Sequence, residues 1–89
     1  MNSRDRALAE ASKIFIGFVQ VGNTDTYLEY QVRGVTRKSV KLRLKKVVSN
    51  LNEDELQTYT IGQIFCPGDT DVEVFRKRYR IIEERKTTV

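Results

Sequence analysis

Apolar and basic residues alternate in the middle of the chain, in the segment SVKLRLKKVV from Ser39 to Val48. Val40, Leu42 and Leu44 occupy every second position, and cations lie between them. A period of two residues is typical of a β-strand that has one face in a core and the other in water. The pattern therefore predicts a central strand whose solvent face is a row of positive charge.

Three further segments carry strand patterns. Lys13 to Val21 is apolar on both parities, which suits a strand covered on both faces. Tyr27 to Arg33 alternates apolar and polar residues, and Thr58 to Phe65 is rich in β-branched and aromatic residues. Gly22 and Asn23 mark a turn, so the first two strands and the basic strand are predicted to form an antiparallel meander.

Two short helices are predicted around these strands. Residues 1–12 contain several good helix formers and are expected to form an arm, which either covers one end of the domain or docks on a partner. Residues 49–57 are expected to form a second helix, with Asn52 as N-cap. The acids from Glu53 to Glu55 would then lie in its first turn, where the helix dipole favours negative charge.

The C-terminal quarter is predicted to contain a tight hairpin. A turn at Pro67-Gly68 precedes it, because proline pre-sets φ and glycine accepts a positive φ. Apolar residues in 71–75 and in 78–84 have opposite parity, so the chain is expected to reverse between those two segments. Residues 85–89 are expected to be a solvated tail.

These elements together predict a mainly β fold with a short N-terminal helix. Five or six short strands, two of them interrupted by glycine, favour a small antiparallel barrel or a strongly curved sheet of the SH3-like or OB-like type. The length of 89 residues corresponds to one domain, residues 1–89. Its predicted parts are the helical arm 1–12, the β-barrel 13–84 and the tail 85–89.

The composition argues against most enzyme chemistry. The chain has no histidine, which removes the commonest general base and the commonest transition-metal ligand. Its single cysteine, Cys66, allows neither an internal disulfide nor a multi-cysteine zinc site, and we interpret it as an inert small hydrophobe. We therefore expect no enzyme activity, no cofactor and no metal. No apolar stretch approaches the roughly 18 residues of a membrane span, so a cytoplasmic protein is predicted, in the host cytoplasm if the chain is viral.

Positive charge is the strongest functional signal. The net charge is +4, and one window of the chain holds seven cations and no acid: Arg33, Arg37, Lys38, Lys41, Arg43, Lys45 and Lys46. On a strand, alternate side chains would project at intervals of roughly 6.5–7 Å, which suits the phosphates of an extended single strand. The alternative is a lysine-rich edge strand that only prevents aggregation.

A second group of cations lies in the predicted hairpin: Arg76, Lys77, Arg78 and Arg80. Guanidinium groups beside aromatic residues can grip phosphates and stack on bases, although a basic hairpin tip can equally enter an acidic groove on a protein. A solvated turn is the third interpretation. The sequence leaves open whether the two groups of cations form one patch.

The predicted function is nucleic-acid binding by a small non-enzymatic β-barrel, with RNA or single-stranded DNA favoured as the ligand. The alternative is a protein-interaction module that recognises an acidic protein surface. Such a module would be a small subunit of a larger assembly or a phage-type regulator that docks on a host protein. The oligomeric state is left open.

Overall fold

A computed structural model describes residues 12–54 and 58–86 of the chain. The elements follow in the order β1 (Lys13–Val21), β2 (Thr26–Gly34), α1 (Arg37–Asp54), β3 (Tyr59–Phe65), α2 (Asp71–Arg78) and β4 (Arg80–Lys86). The four strands form one mixed sheet in the order β3-β1-β2-β4. The mainly β character predicted from the sequence is confirmed.

Strand β1 is the centre of the sheet and pairs antiparallel with both β2 and β3. The predicted strands at 13–21, 27–33 and 58–65 are confirmed, as is the turn between the first two. Gly22 adopts a φ of 61° in that turn, a conformation that glycine accepts without steric cost. Its amide donates to the carbonyl of Thr58 at 2.7 Å, which joins the turn to the start of β3.

The predicted barrel is wrong. Among the described residues the sheet has four strands rather than five or six, and β3 and β4 lie at opposite edges without meeting. Strand β4 also pairs parallel to β2, so the sheet is not purely antiparallel. The described part of residues 13–84 does not close into an SH3-like or OB-like barrel, because two segments expected to be strands are helices.

The segment Ser39–Val48, predicted to be the central strand, lies within helix α1. The apolar residues that face the sheet recur at i, i+4, i+7, i+8 and i+11, which are Val40, Leu44, Val47, Val48 and Leu51. That spacing follows one face of a helix. Val40 and Leu44 fit either period, Leu42 fits only the strand period, and the apolar positions beyond them fit the helix. Leu42, assigned to the core by the alternation, is 56% exposed.

A reciprocal pair of hydrogen bonds starts α1. The amide of Ser39 donates to Oγ1 of Thr36 at 3.1 Å, and the amide of Thr36 donates to Oγ of Ser39 at 3.2 Å. Thr36 occupies the N-cap position and Ser39 the N3 position, which is the arrangement of a capping box. Two amides that have no partner within the helix are satisfied in this way.

Replacement of the cap, Thr36→Ala, is expected to lower the free energy of unfolding by about 1 kcal/mol, since the Ser39 amide loses its acceptor. Urea unfolding followed by circular dichroism measures the change. Ser49→Ala is the matched control, because Ser49 is an exposed residue of α1 far from its start. Equal unfolding free energies for Thr36→Ala and the wild type would contradict the capping role.

Residues 49–54 are helical, as predicted, but they are the end of α1 and not the start of a separate helix, and residues 55–57 lie outside the described residues. Asn52 is not an N-cap. Its side chain exchanges two hydrogen bonds with the backbone of Tyr59, at 2.7 and 3.1 Å, and so ties the end of α1 to the start of β3. Glu53 and Asp54 lie at the C-terminal end of α1 rather than in a first turn. Glu55 lies outside the described residues.

Helix α2 replaces the predicted hairpin of 71–75 with 78–84. Val72, Phe75 and Tyr79 pack together at i, i+3 and i+7, and this helical spacing accounts for the change of parity without a hairpin. The Pro67-Gly68 turn is confirmed: the amide of Asp69 donates to the carbonyl of Cys66 at 3.1 Å, and Gly68 has a φ of 78°.

The two helices lie on opposite faces of the sheet. Strands β2, β3 and β4 all run in one direction, so α1 and α2 are crossovers between parallel strands. The first crossover runs from β2 to β3 and the second returns from β3 to β4. Crossover connections between parallel strands are right-handed. Two right-handed crossovers that run in opposite directions across a sheet must therefore lie on opposite faces of it. Accordingly α1 packs on Val19 and Leu28, whereas α2 packs on Phe18.

The contact between α1 and the sheet is close at β1. A Cβ atom on Gly17 would lie 2.3 Å from Cδ1 of Leu44, so the helix could not approach as near over any larger residue. Residues 1–11 of the predicted arm and residues 87–89 of the predicted tail lie outside the described residues. Arg85 and Lys86 belong to β4 and not to a tail.

Candidate nucleic-acid interface

Helix α1 is the only described element on its face of the sheet, so its outer side is open to solvent. The helix has 18 residues, which corresponds to a length of about 27 Å. Its apolar stripe faces the sheet, and all its cations lie in the part of the helix from Arg37 to Lys46. Five exposed cations follow from this arrangement: Arg37, Lys38, Lys41, Lys45 and Lys46.

The lysines form a continuous patch along the helix, which we call the basic face and define as Lys38, Lys41, Lys45 and Lys46. The first three lie at i, i+3 and i+7, so they make one row about 10 Å long. Lys46 extends the patch across the helix. All four side chains are exposed.

No acid lies within residues 37–52 of α1, although Asp69 and Asp71 line the same groove beside β3 as Lys41. The chain contains no acid between Glu29 and Glu53, and none of the four lysines forms an ion pair with another described residue. The order of charges also opposes the helix dipole. Arg37 and Lys38 lie in the first turn, at the positive end, and Glu53 and Asp54 lie at the negative end. The field of the dipole therefore adds to that of the cations at the start of α1 instead of reducing it.

Three cations of the predicted row lie outside the basic face. Arg37 is exposed, and its Nη2 lies 3.8 Å from Sγ of Cys66. Arg43 is half-buried, and its Nη1 donates to the carbonyl of Arg33 at 2.7 Å, which attaches α1 to the end of β2. The side chain of Arg33 points to the opposite face of the sheet, since its neighbours Val32 and Gly34 face α1. Its Nη1 lies 3.3 Å from Oγ of Ser12. Arg33 is therefore not part of the basic face.

Arg76 is committed to a buried ion pair. Its Nε and Nη2 donate to the two carboxylate oxygens of Glu29 at 2.7 and 2.9 Å, and Nη1 donates to Glu73. The side chain of Glu29 is only 1% exposed, in the middle of β2 and on the face covered by α2. The hydrogen bond to Glu29 raises the pKa of Arg76 above its ordinary value. Arg76 thus stabilises the core. Glu29 occupies a polar position of the alternating β2 pattern, so nothing in the sequence signalled its burial.

The remaining cations of the second group are exposed but lie away from α1. Lys77 and Arg78 are in the last turn of α2, and the guanidinium of Arg78 lies 5.6 Å from the ring centre of Tyr79. Arg80 is the first residue of the edge strand β4 and pairs with Thr26 of β2. It also lines a shallow cavity of about 590 Å³. Since α1 and α2 occupy opposite faces, the two groups of cations do not form one patch.

The fold and the basic face describe a small, mainly β domain that exposes one cationic helix. No family model, no curated protein and no solved structure matches the chain. Neither helix in the described part of the chain is long and apolar enough to cross a membrane. Within residues 12–54 and 58–86, no three side chains of the metal-ligating types cluster together.

Proposed function

We propose that this protein is a non-enzymatic nucleic-acid-binding domain and that the basic face of α1 is its contact surface. The observation that carries the proposal is the basic face itself: four exposed lysines on one rigid helix, with no ion-pair partner among the described residues. Lysine contacts to phosphate release condensed counterions, and that release drives association with nucleic acids. We place this activity in the cytoplasm.

The helix changes the expected geometry of the contact. The interval of roughly 6.5–7 Å that favoured an extended single strand belongs to a β-strand, and α1 does not have it. The alternative explanation, a lysine-rich edge strand that prevents aggregation, does not apply, because the lysines lie on a helix. On a helix, lysines at positions i, i+3 and i+7 form a row, which suits phosphates on a curved surface or along the rim of a groove.

Fluorescence anisotropy of labelled DNA and RNA at increasing salt tests the proposal. Four phosphate contacts predict a slope of about −3.6 in log K against log salt, since each contact contributes about −0.9 on a duplex. The affinity is therefore expected to fall by about 100-fold between about 50 and about 200 mM salt. Titration of a labelled acidic peptide under the same conditions is the control for charge alone.

Two results would contradict the proposal. Binding that does not change with salt would exclude phosphate contacts as its source. Absence of binding to any nucleic acid at about 50 mM salt, together with binding to the acidic peptide, would assign the basic face to an acidic protein surface.

A further inference from the structure

The side chains on the outer side of α1 lie in three parallel lines, with cations in the two lateral lines. At about 3.6 residues per turn, Leu42, Ser49 and Glu53 lie opposite the apolar stripe and so point away from the sheet. Lys41 and Lys45 lie on the side nearer β3, where Lys41 also lines a groove along that strand. Lys46 lies on the other side, toward β2, to which Arg43 attaches the helix.

This arrangement places cations on both sides of the outward line of the helix, while the line itself carries no cation and ends in the acid Glu53. Leu42 is 56% exposed, and Ser49 is exposed one heptad later. A patch that only tracked phosphates would carry its cations along the most projecting line, where Leu42 and Ser49 lie instead. The most projecting line therefore suits contact with something less charged than a phosphate.

The major groove of B-form DNA presents that combination. Phosphates line both of its rims, and base edges with hydrogen-bonding groups and thymine methyl groups form its floor. The groove is about 12 Å wide, and an α-helix with its side chains is about 10–12 Å across. Helix α1 has no described neighbour on its face of the sheet, so its outer side is free to enter such a groove.

We infer that α1 binds in the major groove of duplex DNA, with Lys41 and Lys45 on the phosphates of one strand and Lys46 on those of the other. Leu42 contacts base edges or thymine methyl groups, and the Ser49 hydroxyl bonds to a base edge. This inference rests on the proposed function and names its ligand. Duplex RNA is a poor ligand in this geometry, because the A-form major groove is too deep and narrow for a helix.

The test compares four labelled probes of one sequence, about 20 base pairs or nucleotides long, by anisotropy: duplex DNA, duplex RNA and the two single strands. Duplex DNA is expected to bind at least about 10-fold tighter than the other three. A second DNA duplex carries glucosylated 5-hydroxymethylcytosine, whose sugars fill the major groove. That duplex is expected to bind at least about 10-fold more weakly than the unmodified one.

The outcomes separate this inference from the proposed function. Equal, salt-dependent binding of all four probes, unaffected by glucosylation, would leave phosphate binding intact and overturn the major-groove inference. Displacement of the protein by netropsin, which occupies the minor groove, would also overturn it if glucosylation has no effect. Absence of binding to every probe would overturn the inference and the proposed function together.

A pair of matched variants locates the contact. Leu42→Glu places a carboxylate on the most projecting line of α1, and we expect it to weaken binding to duplex DNA by at least about 30-fold. Ile82→Glu makes the same change of charge at a residue of similar exposure, 50% against 56%, on edge strand β4. We expect Ile82→Glu to change the affinity by no more than about 2-fold. Equal losses in the two variants would show that Leu42 does not enter the groove.

Discussion

Reversal of two charges on the basic face, Lys38→Glu with Lys45→Glu, is expected to weaken nucleic-acid binding by about 100-fold at about 100 mM salt. Each lost phosphate contact removes roughly 0.9 log units of affinity at that salt concentration, and the new carboxylates repel the phosphates as well. Anisotropy titration measures the affinity. Both lysines are exposed and outside the two apolar clusters, so folding is expected to be unchanged.

The control for this variant is the same change of charge on the opposite face of the sheet. Lys77 and Arg78 are exposed on α2, and neither forms an ion pair with a described residue. Lys77→Glu with Arg78→Glu alters the net charge equally, and it is expected to weaken binding by less than about 5-fold through the general field of the protein. Equal losses in the two double variants would mean that net charge, and not the basic face, determines the affinity.

Removal of the arginine from the buried ion pair, Arg76→Ala, is expected to destabilise the domain by about 3 kcal/mol. The carboxylate of Glu29 would then stay under α2 without its two hydrogen bonds, and the desolvation of an unpaired charge is costly. For a domain of this size, such a loss corresponds to a fall in Tm of about 15 °C. Thermal unfolding followed by circular dichroism measures it.

Glu83→Ala is the matched control, because it breaks the exposed pair with Arg85 and is expected to cost less than about 1 kcal/mol. A second control separates charge from packing. The double variant Glu29→Leu with Arg76→Leu removes both charges and keeps similar volume, so most of the stability is expected to return. If Arg76→Ala and Glu83→Ala shift the Tm equally, the Glu29 pair is not the buried ion pair that its geometry indicates.

These two experiments separate the roles of the two groups of cations. The group on α2 includes an arginine that neutralises a core carboxylate, and aromatic packing of Phe75 and Tyr79 against Phe18 and Tyr27 fixes its helix. The lysines of α1 have no such structural partner among the described residues. Stability is therefore expected to depend on the first group and binding on the second.

Strands β1, β2 and β3 were predictable because local pattern decides them. Lys13–Val21 is apolar on both parities and is covered by a helix on each face, and β2 alternates between the two cores. Gly22 and the Pro67-Gly68 turn were predictable for the same reason, since their φ angles depend on the residue itself. The candidate lysines are exposed, as the alternation predicts, but they lie along a helix and not along a strand.

Helix α1 was missed because Val40 and Leu44 fit both periods, and Leu42, which is exposed on the helix, completed an apparent strand alternation. The capping pair of Thr36 and Ser39 and the apolar residues at 47, 48 and 51 were the signals that distinguish them. Helix α2 was missed because a change of parity was interpreted as a reversal of the chain. In both segments the helical period becomes clear only over a longer stretch of residues.

The sequence by itself determined the charge of this protein, the absence of histidine, the three strands with strong local patterns and the identity of the cations. Only the tertiary structure decided which cations are available. Packing of α1 and α2 on opposite faces of the sheet separates the two groups, buries Glu29 so that it engages Arg76, and turns Leu42 outward. These are consequences of contacts between segments far apart in the chain, and a local pattern of residues does not contain them.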